Sequence, residues 1–215
     1  MRTIATIAAV VLVASCASSP PPPVKLADTW PQAAGVYDDI YQRWTRRGLD
    51  RDEMIQTLTV SATLESAEFR AAYVHERAVH LQLPADDEAR LAEDERKALA
   101  DGWDVELLVA TAKPEWNDLR NYGKDAKTGK LGSMWRIALV GDGGREVTPV
   151  TIKQDRRHRE DVQHYFPDLK AFYEPYIVHF PKAAADGRPL IGERGKLALK
   201  VGGSLGQVQL VWASD

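Results

Sequence analysis

Histidines and carboxylates are the side chains of this chain best suited to acid–base or metal chemistry. The sequence holds 5 histidines: His75, His80, His158, His164 and His179. A metal needs ligands that converge, and a helix brings two side chains together only at a spacing of three or four. His75 and His80 are five apart, His158 and His164 flank a charged stretch, and no HExxH pattern occurs. These histidines read as structural or surface residues, and no metal site is expected. Among the carboxylates, Asp86, Asp87, Glu88, Glu93, Asp94 and Glu95 crowd one short segment. Consecutive acids point in many directions, which is the pattern of a solvated face. A carboxylate pair for glycoside hydrolysis needs a set separation across a cleft, and separation in space is not legible in a sequence.

Nucleophilic and phosphate chemistry find less support. No G-x-S-x-G elbow occurs. Residues 123–131 carry Gly123, Gly129 and Lys130, but the glycines stand one residue too far apart for a phosphate-cradling loop. Leu131 also occupies the position where Ser or Thr would bind Mg²⁺. Arg156, Arg157, His158 and Arg159 form a basic cluster followed by Glu160 and Asp161. It is either a contact for phosphate or carboxylate or a solvated loop, and the solvated loop is the expectation. The formal net charge of -3 gives no support for nucleic-acid binding. With a single cysteine, Cys16, neither an internal disulfide nor a cysteine-rich zinc site can form.

One long stretch without periodicity stands out between an alternating run that ends near Thr111 and another that begins near Trp135. Pro114, Gly123, Gly129 and Gly132 interrupt any regular element there. Loops of this length are functional or disordered more often than not. Trp116, Arg120 and Tyr122 are therefore the candidate binding surface, because aromatic and basic groups together can stack on a polar partner. The competing reading makes Trp116 and Leu119 a plug for one end of the fold.

At the N-terminus, Arg2 precedes an uncharged apolar run over residues 4–13. As a helix this run would rise about 15 Å, half of a hydrocarbon core of roughly 30 Å. It has the length of a signal-peptide core rather than of a membrane span. Val13, Ala14, Ser15 and Cys16 then resemble the lipobox of bacterial lipoproteins: an aliphatic residue, two small residues and cysteine. The resemblance implies cleavage before Cys16, diacylglycerol on its thiol, and acylation of the new amino group. It also takes the only thiol out of catalysis. Several acyl chains anchor stably where one holds only reversibly. Ala17 stands where such lipoproteins of two-membrane cells carry Asp when retained at the inner membrane, so the resemblance implies the periplasmic face of the outer membrane, or the cell membrane in a cell that has no outer membrane.

The elements follow from patterning. Residues 1–15 form the signal peptide and 16–31 a lipidated, proline-rich tether. Pro20 to Pro23 favour an extended rod. The body, 32–215, is expected to be a single mainly-β domain. Residues 36–47 fit a helix or a strand, with the strand preferred for the second half. Residues 54–64 alternate, with Met54, Leu58, Val60, Ala62 and Leu64 on one side and Thr57, Thr59, Ser61 and Thr63 on the other. Ser66 is placed to cap a helix with Phe69, Ala72, Tyr73 and Val79 inward, and a second helix follows Pro84, so a helical pair occupies 66–100. Further alternating runs begin at Trp103, Trp135, Val147, Tyr176, Leu197 and Val208. Seven to eight strands with an inserted helical pair define a β-sandwich in which each sheet keeps one wet face, with an open barrel as the alternative. This layout resembles uncharacterised bacterial lipoproteins with a β-sandwich body, a likeness that brings no activity with it. The function expected is a non-enzymatic binding or scaffolding module that needs no cofactor, joined to the membrane through Cys16 and to another envelope component. The alternative is a hydrolase of envelope polymers with dispersed acid and base groups.

Overall fold

Runs of β-branched and aliphatic residues at period two build nine strands among the described residues, which in this computed structural model are 21–119, 133–192 and 195–214. The first sheet holds β1 (Thr45–Asp52), β2 (Ile55–Leu64), β3 (Trp103–Thr111), β6 (Thr151–Gln154) and β7 (Glu174–Phe180), in the order β1-β2-β3-β7-β6. The second holds β4 (Trp135–Val140), β5 (Glu146–Val147), β8 (Lys196–Gly203) and β9 (Gly206–Ala213), in the order β5-β4-β8-β9. Every pairing is antiparallel. Four helices accompany them: α1 (Tyr37–Trp44), α2 (Ala67–His80), α3 (Ala85–Asp101) and α4 (Arg159–Tyr165). The fold is thus the expected mainly-β sandwich with an inserted helical pair.

Register explains the core. Val60, Val109 and Leu107 share one face of the first sheet with Ala62, Tyr176 and Val178. Ile137, Leu199 and Leu210 share a face of the second with Val201 and Val208. All belong to one buried cluster between the sheets. The sandwich closes along one side, where β1 meets β9. There the Trp212 indole N–H donates to the Trp44 carbonyl at 2.7 Å. Gly48 suits this crossing, since a Cβ would come within 2.9 Å of the Leu210 side chain and 3.1 Å of Val208.

The second sheet has the expected wet outer face, with Arg136, Lys200, Gln207 and Gln209 exposed. The first sheet does not. Ser61, Thr63, Glu106 and Leu108 on its other face are buried beneath helices. The sequence expectation of a wet face failed here because Ser and Thr are polar without being obliged to meet water. Ser61 is satisfied by Asp168 at 2.5 Å and Thr63 by Thr45 at 2.8 Å.

The helical pair lies where patterning put it. Ser66 caps α2, its Oγ accepting the Phe69 N–H at 3.1 Å. The helix ends as Gln82 turns to positive φ and Pro84 follows. Acids in the first turn of α3 complement the helix dipole. Some assignments change. Residues 36–47 divide into α1 and the start of β1, with the helix reaching Trp44. Met54 is 97% exposed at a hairpin tip and Val79 is 62% exposed, so neither joins the core. The run after Val147 splits between sheets around Pro149, which lacks the N–H a continuous strand would use. The stretch after the basic cluster is α4 rather than a loop.

Residues 21–31 lie along the body. The Val24 N–H donates to the Ala213 carbonyl at 2.8 Å, and Val24 is buried. Asp28 accepts from Lys182 at 2.6 Å, and the Trp30 ring stacks under the Arg96 guanidinium at 4.6 Å.

Candidate functional site

The helix-covered face of the first sheet concentrates most of the perturbed ionisable groups. Asp104 and Glu106 occupy alternate positions of β3 and so project from the same face. Glu65 directly follows β2, just ahead of the α2 cap, and Arg70 and Tyr73 lie on the side of α2 that turns to the sheet. Glu95 comes from α3, and Asp155 and Arg157 from the segment entering α4. An aromatic layer of Tyr37, Phe69, Tyr73, Tyr165 and Phe166 locks α1, α2 and α4 over them.

Arg70 is 3% exposed and meets three carboxylates: Glu65 at 3.0 Å, Asp104 at 2.6 Å and Glu95. It binds the helical pair to the sheet. A buried guanidinium is tolerated only with such matching. The other Asp104 oxygen holds His179 Nδ1 at 2.7 Å. This is the Asp–His half of a nucleophilic triad, but the group facing the other ring nitrogen is the Asp101 carboxylate at 3.6 Å, not a hydroxyl. Gly102 makes the arrangement possible, because a Cβ there would collide with the His179 ring.

Arg157 centres the second group. It grips Asp155 at 2.5 Å, donates to the Tyr73 hydroxyl at 2.9 Å and reaches Glu106 Oε2 at 3.5 Å. Glu106 is fully buried, and its Oε1 has no hydrogen-bond partner. Burial drives its pKa well above the ordinary carboxylate range, with Asp155 and Glu65 adding repulsion against the pull of Arg157. Burial likewise raises Glu65 to about 7, opposed by Arg70 and reinforced by Asp104 and Glu95.

A cavity of about 230 Å³ opens among these groups, lined by Phe69, Tyr73 and Phe166 with Glu65, Glu95 and Arg77. Arg70, Arg157 and Ile177 complete its wall, and Ile177 is the cross-strand partner of Glu106. Arg77 makes no ion pair among the described residues. A larger groove of about 900 Å³ follows the β1–β9 seam, where Pro21 and Pro22 already lie against it. No group of three or more His, Cys, Asp or Glu among the described residues is placed to hold a metal.

Of the residues singled out from sequence, Cys16, Arg120 and Tyr122 lie outside the described residues. Trp116 lies in a short 3₁₀ turn, residues Pro114–Asn117, where its carbonyl accepts the Trp135 indole N–H at 2.7 Å and Lys113 sits 4.7 Å over its ring. Leu119 is fully buried, in keeping with a plug at that end. The basic cluster is not simply solvated, since Arg157 turns inward to Asp155 and Tyr73. Sequence reasoning missed Glu65, Arg70, Asp104, Glu106 and Arg157 as a group. The only available signal was the charged Asp104 and Glu106 inside an otherwise apolar strand. His80 and His164 stack at 4.0 Å, a pairing between α2 and α4 that no spacing announced.

Searches against family models, curated proteins and solved structures find no match to this chain. None of the helices among the described residues is long and apolar enough to cross a membrane.

Proposed function

We propose that this chain is an envelope lipoprotein, anchored through lipid on Cys16 at the periplasmic face of the outer membrane, whose body binds another envelope component without transforming it. The observation that carries the binding reading is the α2 cavity. It is small, part aromatic and part charged, and it offers recognition groups but no serine, cysteine or histidine in its wall. The anchor rests on the lipobox-like run and on a proline-rich segment that reaches the body at Val24. The Trp116, Arg120 and Tyr122 surface is a second place where a macromolecular partner would dock.

In-cell crosslinking of the anchored protein, followed by identification of what is captured, tests the reading. Crosslinks to one defined component support it, and a uniform background overturns it. Crosslinks lost on Trp116→Ala with Tyr122→Ala, at an unchanged melting temperature, assign the partner to that surface.

A second reading, a hydrolase of envelope polymers, draws on Glu65. A carboxyl held near 7 suits a general acid at neutral pH, and Glu95 lines the same cavity. Release of soluble fragments from purified envelope polymer, abolished by Glu65→Gln, would establish it in place of the first.

A further inference from the structure

The wall of the α2 cavity carries three arginines, Arg70, Arg77 and Arg157, against two carboxyls, Glu65 and Glu95. Two of the cations are committed. Arg70 holds both of those carboxyls, and Arg157 grips Asp155. Arg77 is half-buried, and among the described residues its side chain has no ion pair and no hydrogen bond. One turn earlier on α2 stands Tyr73. Its hydroxyl accepts from Arg157 at 2.9 Å, so its own proton is left without an acceptor among the described residues. Phe69 lies one turn earlier again. Positions four apart share a face of a helix, so Phe69, Tyr73 and Arg77 form one stripe along the wall, apolar at one end and cationic at the other. Phe166 packs on Phe69 at 5.9 Å between ring centres and widens the apolar end.

Resting on the binding reading, we infer that the cavity takes a small monocarboxylate on an apolar body, its carboxylate held by Arg77 and Tyr73 and its body set against Phe69 and Phe166. A guanidinium presents paired N–H donors in the geometry a carboxylate accepts. The Tyr73 hydroxyl adds one more donor beside it. A cationic ligand would meet the free guanidinium with like charge, and an uncharged one would forgo the charge-assisted bonds. Four residues of helix rise about 6 Å, close to the separation of carboxylate and ring in a phenyl-substituted propionate. A cavity of about 230 Å³ suits a ligand of that size rather than a length of polymer.

Anion entry couples to protons. Glu65 shares the wall, and a neighbouring carboxylate favours its protonated form, which burial already favours. The groups that face Glu65 are Tyr37 of α1, Arg70 and Tyr73 of α2, Glu95 of α3, Asp104 and Glu106 of β3, and Arg157 ahead of α4. Binding near neutral pH therefore takes up protons.

Calorimetric titration of the full chain in detergent micelles at pH 7, in two buffers of different ionisation enthalpy and against a micelle blank, tests this. The probes are phenylpropionate, its uncharged amide and phenylpropylammonium. The expected result is saturable heat and net proton uptake with phenylpropionate, and binding weaker by about tenfold or more with the amide and the ammonium. Saturation by N-acetyl-phenylalanine as well assigns the natural carboxylate to a chain end, and its failure assigns it to a free acid. Arg77→Gln should weaken phenylpropionate about tenfold or more at an unchanged melting temperature, with Arg77→Lys in between. If Arg77→Gln unfolds, the comparison of the three probes on the native chain decides. Saturation by the amide or the ammonium in place of the acid overturns the inference and leaves the binding reading standing. Absence of phenylpropionate binding, or equal affinity in a folded Arg77→Gln, overturns the inference whatever the crosslinking finds.

Discussion

Glu65 and Glu106 keep their protons in the folded chain at pH values where the unfolded chain has lost them. A carboxyl with a raised folded pKa contributes stability that is fully present below its unfolded value and is lost as pH rises through the folded one. For Glu65 that window runs from its ordinary value of 4.5 up to about 7. Glu65→Gln removes the titration. Its melting temperature relative to the native chain should therefore climb between pH 4.5 and 7 and level off above. A constant difference across that range would contradict the assignment. Arg70 has the opposite character. Arg70→Met leaves Glu65, Glu95 and Asp104 without their common cation. Removing one partner from a buried ionic group typically costs about 3–5 kcal/mol, and denaturant unfolding at pH 7 should register a loss of that order.

The segment before α1 is fastened to the body at several points. Arg46, 4% exposed on β1, donates to the carbonyls of Val211 at 2.7 Å, Arg43 at 2.7 Å and Pro22 at 2.8 Å. Among the described residues no carboxylate pairs with it, and burial lowers its pKa to about 10, still charged at neutral pH. It joins three pieces of backbone at the sandwich seam: the edge of the first sheet, the edge of the second, and the incoming tether. A soluble body that starts at Ala27 loses Val24 from the core and Pro22 from Arg46. Burying a valine contributes roughly 1.5–3 kcal/mol, which for a domain of this size is a melting-temperature drop of roughly 3–12 °C. A body starting at Pro21 should keep the native value. Equal melting of the two would mean that these contacts add nothing.

For the whole molecule, the tether exit and the Trp116 end are opposite poles. Val24 pairs with the last residue of β9, whereas the turn of Trp116 follows β3 at the end where β9 begins. An anchor at Cys16 would thus hold one pole toward the membrane and present the Trp116 pole away from it. Labelled palmitate should enter the native chain and not Cys16→Ser. Equal labelling of both would refute the anchor, and with it this polarity.

Patterning in the sequence determined the class of fold, the core strands and the helical pair, because period and capping are local and survive in one dimension. Leu58, Val60 and Ala62 declared their face of β2, and Ser66 with Pro84 bounded α2. Local pattern misled where chain direction was decided by distant partners. Residues after Val147 were divided between sheets by pairing with β4 and β7, and Met54 was placed in a turn by the register of β1 with β2. The lipobox-like run gave an expected address without any help from the fold. The polar cavity belongs to tertiary structure alone. Glu65, Arg70, Glu95, Asp104, Glu106 and Arg157 come from the residue after β2, from α2, α3 and β3, and from the approach to α4, and only Asp104 and Glu106, charged within an apolar strand, stand out in their own neighbourhood. The raised pKa values of Glu65 and Glu106 and the unmatched oxygen of Glu106 arise only when the helices remove water from the first sheet's polar face. Desolvation is a property of what lies above a residue in space, and sequence order does not record it.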